Sequence, residues 1–172
     1  RSTSFNKMRM CVFPKWYAWT QVEPRFHVFE KEYTHFNPAF FQHLEKRVQD
    51  LLDLNIQADL ILFHPYDHWG YAKMPAEVDD RYLRYLIARL GAYRNVWWSI
   101  ANEWDLVKTK QRADFDRYFH VVQESDPYGR LRSIHHSKVL YDHGKPWVTH
   151  VSLQDDDFGK TQGYLDTYLK PV

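Results

Sequence analysis

Short apolar runs alternate along the chain with amphipathic stretches, the pattern expected of parallel β-α units. Residues 7–13 read as a first strand, stopped by Pro14. A loop rich in aromatic and polar side chains follows over 15–36. Asn37-Pro38 then reads as an N-cap with proline at the first helical position. The helix predicted over 39–54 carries Phe41, Leu44, Val48, Leu51 and Leu52 at spacings of three and four, one stripe for burial. Residues 58–63 are nearly all apolar, as suits a parallel strand covered on both faces. They open into His64-Pro65-Tyr66-Asp67-His68-Trp69-Gly70. A helix over 79–93 places Asp79 and Asp80 near its positive end and turns Leu83, Leu86, Ile87 and Leu90 inward. The strand at 96–101 ends in Asn102-Glu103-Trp104-Asp105. A helix over 112–124, strands at 131–134 and 147–153, and a short helix over 161–169 complete the reading.

Five strands in 172 residues give roughly 34 residues per unit, and eight such units would need about 275, near the usual length of a (β/α)8 barrel. The arithmetic predicts an α/β fold that is a partial (β/α)8 TIM barrel, one domain over residues 1–172. A five-stranded doubly wound sheet fits the same count, although no glycine-rich phosphate loop follows any strand. The chain opens at Arg1 without a signal peptide and closes at Lys170-Pro171-Val172, which reads as the approach to another strand.

Composition narrows the partners. With 23 basic and 22 acidic residues, a net charge of +1 and no basic run, neither nucleic acid nor a membrane surface is expected. No apolar run approaches the roughly 18 residues of a transmembrane helix. The single Cys excludes an intrachain disulfide and a multi-cysteine metal centre, and it fits a reducing cytoplasm as well as secretion. Seven Trp, 12 Tyr and 11 Phe supply flat faces that suit sugar rings and suit cores equally.

Ligands of parallel α/β folds collect where strands end and loops begin. Five polar groups fall at such points: Arg9, His64 with Asp67, Asn102 with Glu103, His135 with His136, and His150. Glu103 follows a strand too apolar to face water and is flanked by Trp104. A partly desolvated carboxyl there would have its charged form disfavoured, which suits proton donation; a solvated loop glutamate or an ion-pair partner is the other reading. No metal or other cofactor is expected, because Pro65 breaks the helix that would bring His64 and His68 to one face. His64 reads as a partner of sugar hydroxyls or as a structural histidine, and Arg9 as a cleft residue or half of an ion pair inside the barrel. Alternation sends His135 and His136 to opposite faces, so at most one meets the cleft. His150 would line it from the strand at 147–153, with Ser152 and Gln154 on the same face. Trp16, Tyr17, Trp19, Trp69 and Trp104 lie on loops after strands, where they stack on sugars or pack into the protein. Asp155-Asp156-Asp157 reads as a solvated loop, and no Gly-x-Ser-x-Gly elbow occurs.

The stretch Tyr93-Arg94-Asn95-Val96-Trp97-Trp98-Ser99-Ile100-Ala101-Asn102-Glu103 resembles the fourth barrel strand of the retaining glycoside hydrolase clan that contains cellulases and β-mannanases. Met8-Arg9-Met10-Cys11-Val12-Phe13-Pro14-Lys15, Leu62-Phe63-His64-Pro65-Tyr66-Asp67 and Asp79-Asp80-Arg81-Tyr82-Leu83-Arg84-Tyr85 are similar to apiosidase-like and endoglucanase-like barrel proteins of that group. The resemblance labels the predicted strands two to six, leaving strand one and strands seven and eight outside the chain. It implies that Glu103 is the general acid/base and that Asn102 binds the hydroxyl beside the anomeric carbon. It places Arg9 near the nucleophile's carboxylate and makes Asp67 a substrate-binding or structural residue. The nucleophilic glutamate of the clan ends strand seven, so the resemblance puts it beyond Val172.

The expectation is therefore a glycoside hydrolase segment acting on a polysaccharide or oligosaccharide. Glu103 is its catalytic residue, with Asn102, Arg9, His64, Asp67, His150 and Trp104 around the carbohydrate. Alone the segment would be nearly inactive and prone to self-association through exposed strand edges. The alternatives are a noncatalytic carbohydrate-binding barrel, which one carboxylate would suffice to explain, and a doubly wound domain with an unrelated small ligand.

Overall fold

A computed structural model describes residues 5–19 and 21–172. Four parallel strands form one sheet: β1 (Lys7–Cys11), β4 (Gln57–Phe63), β5 (Val96–Ala101) and β6 (Arg132–Ser133), in the spatial order β1-β4-β5-β6. The helices α1 (Pro38–Asp53), α2 (Ala76–Leu90) and α3 (Arg112–Ser125) form the connections between successive sheet strands, and α4 (Thr161–Tyr168) follows β6. This is the β-α alternation of a partial TIM barrel. Among the described residues, no helix is long and apolar enough to cross a membrane.

Local chemistry starts α1 where the sequence placed it: the Asn37 side-chain oxygen accepts from the Ala39 amide at 3.0 Å, and Pro38 takes the first helical position. The helix buries Phe41, Leu44, Val48 and Leu51, its apolar stripe. Strand alternation divides β4 and β5 into two faces. Leu60, Leu62, Trp98 and Ile100 belong to the core shared with the helices. The other face carries Asp59, Trp97 and Ser99, in line with Arg9 of β1. An aromatic cluster caps the core near the strand ends: the rings of Tyr71 and Tyr82 each lie 4.5 Å from that of Phe13, and Tyr118 stacks on Phe63 at 4.5 Å.

Three elements differ from the sequence reading. The loop at 15–36 contains a small antiparallel pair, β2 (Phe29–Lys31) and β3 (His35–Phe36), too short to show as a periodic pattern. The second helix begins at Ala76, after an extended Pro75, rather than at Asp79, and it ends at Leu90. The strand expected at 147–153 does not form. That segment lies beside β6, but Thr149 replaces ladder geometry with its side chain. Its hydroxyl accepts from the Arg132 amide at 2.7 Å and donates to the Arg132 carbonyl at 2.8 Å. The Thr149 amide donates to the same carbonyl at 2.9 Å, and the Val151 amide donates to Pro171 O at 2.8 Å.

The α2 and α3 helices are joined by a buried polar knot. Asp79 is wholly buried, and one of its oxygens accepts from Lys110 Nζ and from the Tyr118 hydroxyl, each at 2.5 Å. Burial pushes the Asp79 carboxyl up, against the pull of Lys110 and Tyr118. Removing one member strands its partner away from water. Asp79→Ala is therefore expected to lower stability by about 3–5 kcal/mol, whereas a surface aspartate such as Asp53 changed to Ala is expected to cost less than about 0.5 kcal/mol. Urea unfolding of both variants checks the contrast.

Candidate active site

The ladder of the parallel sheet runs past the strand ends and builds the rim. The Asn102 amide donates to Phe63 O at 3.0 Å, and the His135 amide donates to Ala101 O at 2.9 Å. The Trp104 amide then turns back to His135 O at 3.1 Å. Between two pinned neighbours, Glu103 adopts a left-handed conformation (φ 50°, ψ 53°), which side-chain-bearing residues seldom take. It is 9% exposed. Its Oε2 accepts a hydrogen bond from the Tyr66 hydroxyl. With its amide turned to satisfy its neighbours, Gln154 donates to Glu103 Oε1 at 3.2 Å and to His136 O at 3.3 Å. The Tyr66 phenol is pushed well above its ordinary range, by burial first and then by the carboxylate it serves. It stays protonated and donates.

Tyr66 is itself held by His64. The His64 Nδ1 accepts from the Tyr66 amide at 3.2 Å, so the ring proton sits on Nε2, 3.0 Å from Phe13 O. Burial lowers the His64 pKa, which keeps this neutral tautomer. Both ring nitrogens are thereby occupied by backbone, and neither is free for the sugar hydroxyl contact expected of His64. Asp67 is likewise engaged: its carboxylate accepts from the amides of Trp69 (2.9 Å), Gly70 (3.1 Å) and Ala72 (2.8 Å), shaping the loop instead of facing a ligand. Gly70 completes that turn at φ 90°, with the Tyr33 hydroxyl 2.5 Å from where a Cβ would stand.

Asp105 accepts from the amides of Ser137, Lys138 and Val139 at 2.7–3.0 Å and so ties the loop after β6 to the loop after β5. Burial raises its pKa, but these amides outweigh it and hold the carboxyl below its usual range. Arg9 takes the ion-pair role: it lies 3.4 Å from Asp59 and donates to Ser99 Oγ at 3.1 Å, with Lys7 3.6 Å from the same carboxylate. Trp104, expected beside the carbohydrate, is 8% exposed. It packs edge-on against Phe115 and Tyr141, so core burial removes it from any sugar face.

His135 faces the interior beside Arg9 and Glu103, and burial and then Arg9 depress its pKa to about 4. His136 is buried, with Asp105 and Asp155 the nearest charges, and burial lowers its pKa. His150 sits edge-on to Trp97 at 5.4 Å, and burial, followed by the Lys7 charge, brings its pKa to about 4. It is grouped with Trp97 and Lys7 rather than with Glu103. Asn102, the residue before Glu103, is half-buried. An open pocket lined by His135, Leu153, Gln154, Asp155 and Asp156 adjoins this group. Among the described residues, no three His, Cys, Asp or Glu side chains gather as a metal site. The sequence reading missed Tyr66 and Asp59. A lone acid within an apolar strand was a visible sign of Asp59; no local sign paired Tyr66 with a carboxyl 37 residues away.

The model of the family described as apiosidase-like, catalytic domain matches residues 1–163. No curated protein matches the chain. A crystal structure from Bacteroides vulgatus, provisionally described as a glycoside hydrolase, is 45% identical with a TM-score of 0.96. That match covers 99% of this chain and 38% of the other. A family 5 glycoside hydrolase from the same organism matches at 12% identity and TM-score 0.64, covering 86% of this chain and 33% of its own. A GH5_18 protein from Streptomyces cattleya, solved with Manβ1-4GlcNAc, matches at 12% identity and TM-score 0.59, covering 94% of this chain and 45% of its own. The last two speak for the fold alone. The chain spans less than half the length of each.

His135 and His150 yield a pH prediction. Both take up protons near pH 4 when folded, against an ordinary value of 6.5. Between those values the unfolded chain binds more protons, so stability falls as pH drops from 6.5 toward 4 and the effect of this pair levels off below. His150→Gln and His135→Gln are each expected to shrink the difference between urea midpoints measured at pH 7 and pH 5. An unchanged difference in both variants would refute the assignment.

Proposed function

The chain belongs to the family of apiosidase-like catalytic domains, and from that premise we propose that it forms the acid/base side of the cleft of a retaining glycoside hydrolase acting on an oligosaccharide or polysaccharide. The observation that carries the reading is the Tyr66–Glu103 hydrogen bond at the C-terminal rim of the parallel strands, where barrel enzymes do their chemistry. In the first step, Glu103 gives its proton to the glycosidic oxygen as the bond to the anomeric carbon breaks. A second carboxylate forms the new bond to that carbon. In the second step, Glu103 takes a proton from the water that displaces this carboxylate, returning both groups to their starting state. Tyr66 and Gln154 hold the carboxyl in place, and the Asn102 side chain binds the hydroxyl next to the reacting carbon.

Retention requires the second carboxylate about 5–5.5 Å from the first. Among the described residues, Asp67 and Asp105 are committed to backbone amides, Asp59 below the rim to Lys7 and Arg9, and Asp155 to Lys160, while Asp156 is exposed on its loop. The nucleophile is therefore assigned to barrel strands outside these 172 residues. That same shortage is what favours the second reading, a carbohydrate-binding barrel without turnover.

In the complete natural chain, Glu103→Gln is expected to cut hydrolysis of an unactivated oligosaccharide by about 10²–10⁴-fold while leaving the melting temperature nearly unchanged. Azide should restore turnover of an aryl glycoside by Glu103→Ala. Full activity in Glu103→Gln would defeat the mechanism; glycan binding with no turnover in the wild type would establish the second reading. Tyr66→Phe is expected to lower kcat on the same oligosaccharide by about tenfold, the worth of one hydrogen bond to a charged group. An aryl glycoside, whose leaving group needs less proton assistance, should suffer less.

A further inference from the structure

A series of aromatic rings leads away from Glu103, and the acid/base reading leaves its outer members unused. Tyr17 packs against Tyr66 with ring centroids 5.0 Å apart and planes tilted by 45°. Trp19 lies parallel to Tyr17, 4.9 Å away at an interplanar angle of 5°. The Lys15 ammonium sits 5.8 Å from the Tyr17 ring centre and 5.2 Å from that of Tyr66, bracing both by cation–π contact. Trp19 is 79% exposed. The other tryptophans of the post-strand loops are engaged elsewhere: Trp16 stacks on His68 at 4.2 Å, Trp69 donates its indole N–H to Glu23, and Trp104 lies in the core. Trp19 thus combines a stacked, oriented ring with a face open to water, a combination that burial of an apolar ring from a ligand would reward.

We propose that Trp19 and Tyr17 form a leaving-group subsite, in which a sugar or aryl ring stacks on the open face of Trp19 while Glu103 protonates the oxygen that joins this ring to the glycone. The direction follows from the chemistry around the carboxyl. The glycone must meet the second carboxylate and the hydrogen-bonding groups Asn102 and His135, whereas the aromatic series begins at Tyr66 and offers faces rather than hydrogen bonds. The proposal rests on the assignment of Glu103 as the acid.

The test compares two leaving groups in the complete natural chain. The probes are the 4-nitrophenyl glycoside and the glycosyl fluoride of whichever common glycone the wild type turns over fastest. Fluoride carries no ring to stack. Trp19→Ala should lower kcat/KM for the 4-nitrophenyl glycoside about tenfold and leave that for the fluoride within about twofold, with Trp19→Phe retaining most of the loss-prone activity. Equal losses on both probes, no loss on either, or a lowered melting temperature with unchanged selectivity would overturn the subsite; the last would mean that another part of the chain covers Trp19. If Glu103→Gln keeps full activity on an unactivated oligosaccharide, the acid assignment falls and the subsite with it. A wild type that depends on Glu103 while Trp19→Ala is indifferent to the leaving group sinks the subsite alone.

Discussion

The hydrogen-bond ladder of the parallel sheet continues beyond the strand ends. The amides of Val12, Asn102 and His135 reach the carbonyls of Ile61, Phe63 and Ala101 at 2.9–3.0 Å, each one strand over. The rim is therefore built in the same register as the sheet. The Trp104 amide then reverses toward His135 O, and the residue between must turn left-handed. For a glutamate that conformation costs on the order of 1–3 kcal/mol. The bonds on Asn102 and Trp104 sustain it, and the result aims one carboxyl at the loop that carries Tyr66. Among the described residues, Glu32, Tyr33, Asn55 and Leu169 also have positive φ, but of these five it is Glu103 that stands at the C-terminal end of a sheet strand, where such strain serves preorganisation.

Below the rim, the inner face is polar where an ordinary sheet would be greasy. Asp59 is 6% exposed and sits between Lys7 and Arg9. Burial raises the pKa of this carboxyl, and the two cations oppose the rise. Such pairs contribute little net stability, because desolvation offsets most of their attraction, but they cannot be half removed. Their consequence here is geometric. Arg9 is anchored to β4 through Asp59 and to β5 through Ser99, so its charge has a fixed address beside His135. That charge helps keep the imidazole neutral, leaving His135 able to accept as well as donate.

Much of this could be read before folding. The Asn37-Pro38 helix start, the buried run of β4 and the termination of β5 at Asn102-Glu103 are local patterns, and each appears where its pattern lies. The failures have a common cause. Trp104 has the sequence context of a loop, but α3 and Tyr141 close over it. His64 stands at a strand end as expected, yet its two nitrogens are claimed by Phe13, 51 residues away, and by the nearby Tyr66 amide. A strand was expected at 147–153, and there the Thr149 hydroxyl and amide between them satisfy the Arg132 backbone without a continued ladder. In each case a side chain met a partner that periodicity does not specify.

The carboxylates near the rim differ in what holds them, and the difference separates scaffold from chemistry. Asp67 and Asp105 each accept from three backbone amides. Protonating either would break bonds that define a loop, and for Asp105 those amides hold the pKa down. Among the described residues, no backbone amide donates to Glu103. Its partners are a phenol and an amide from two different loops, both uncharged, each taking one oxygen. Such partners leave lone pairs open on both oxygens and can shift without unravelling the sheet. A carboxyl that must give up a proton and take one back in each catalytic cycle needs that kind of support, and among the carboxylates of this rim Glu103 has it.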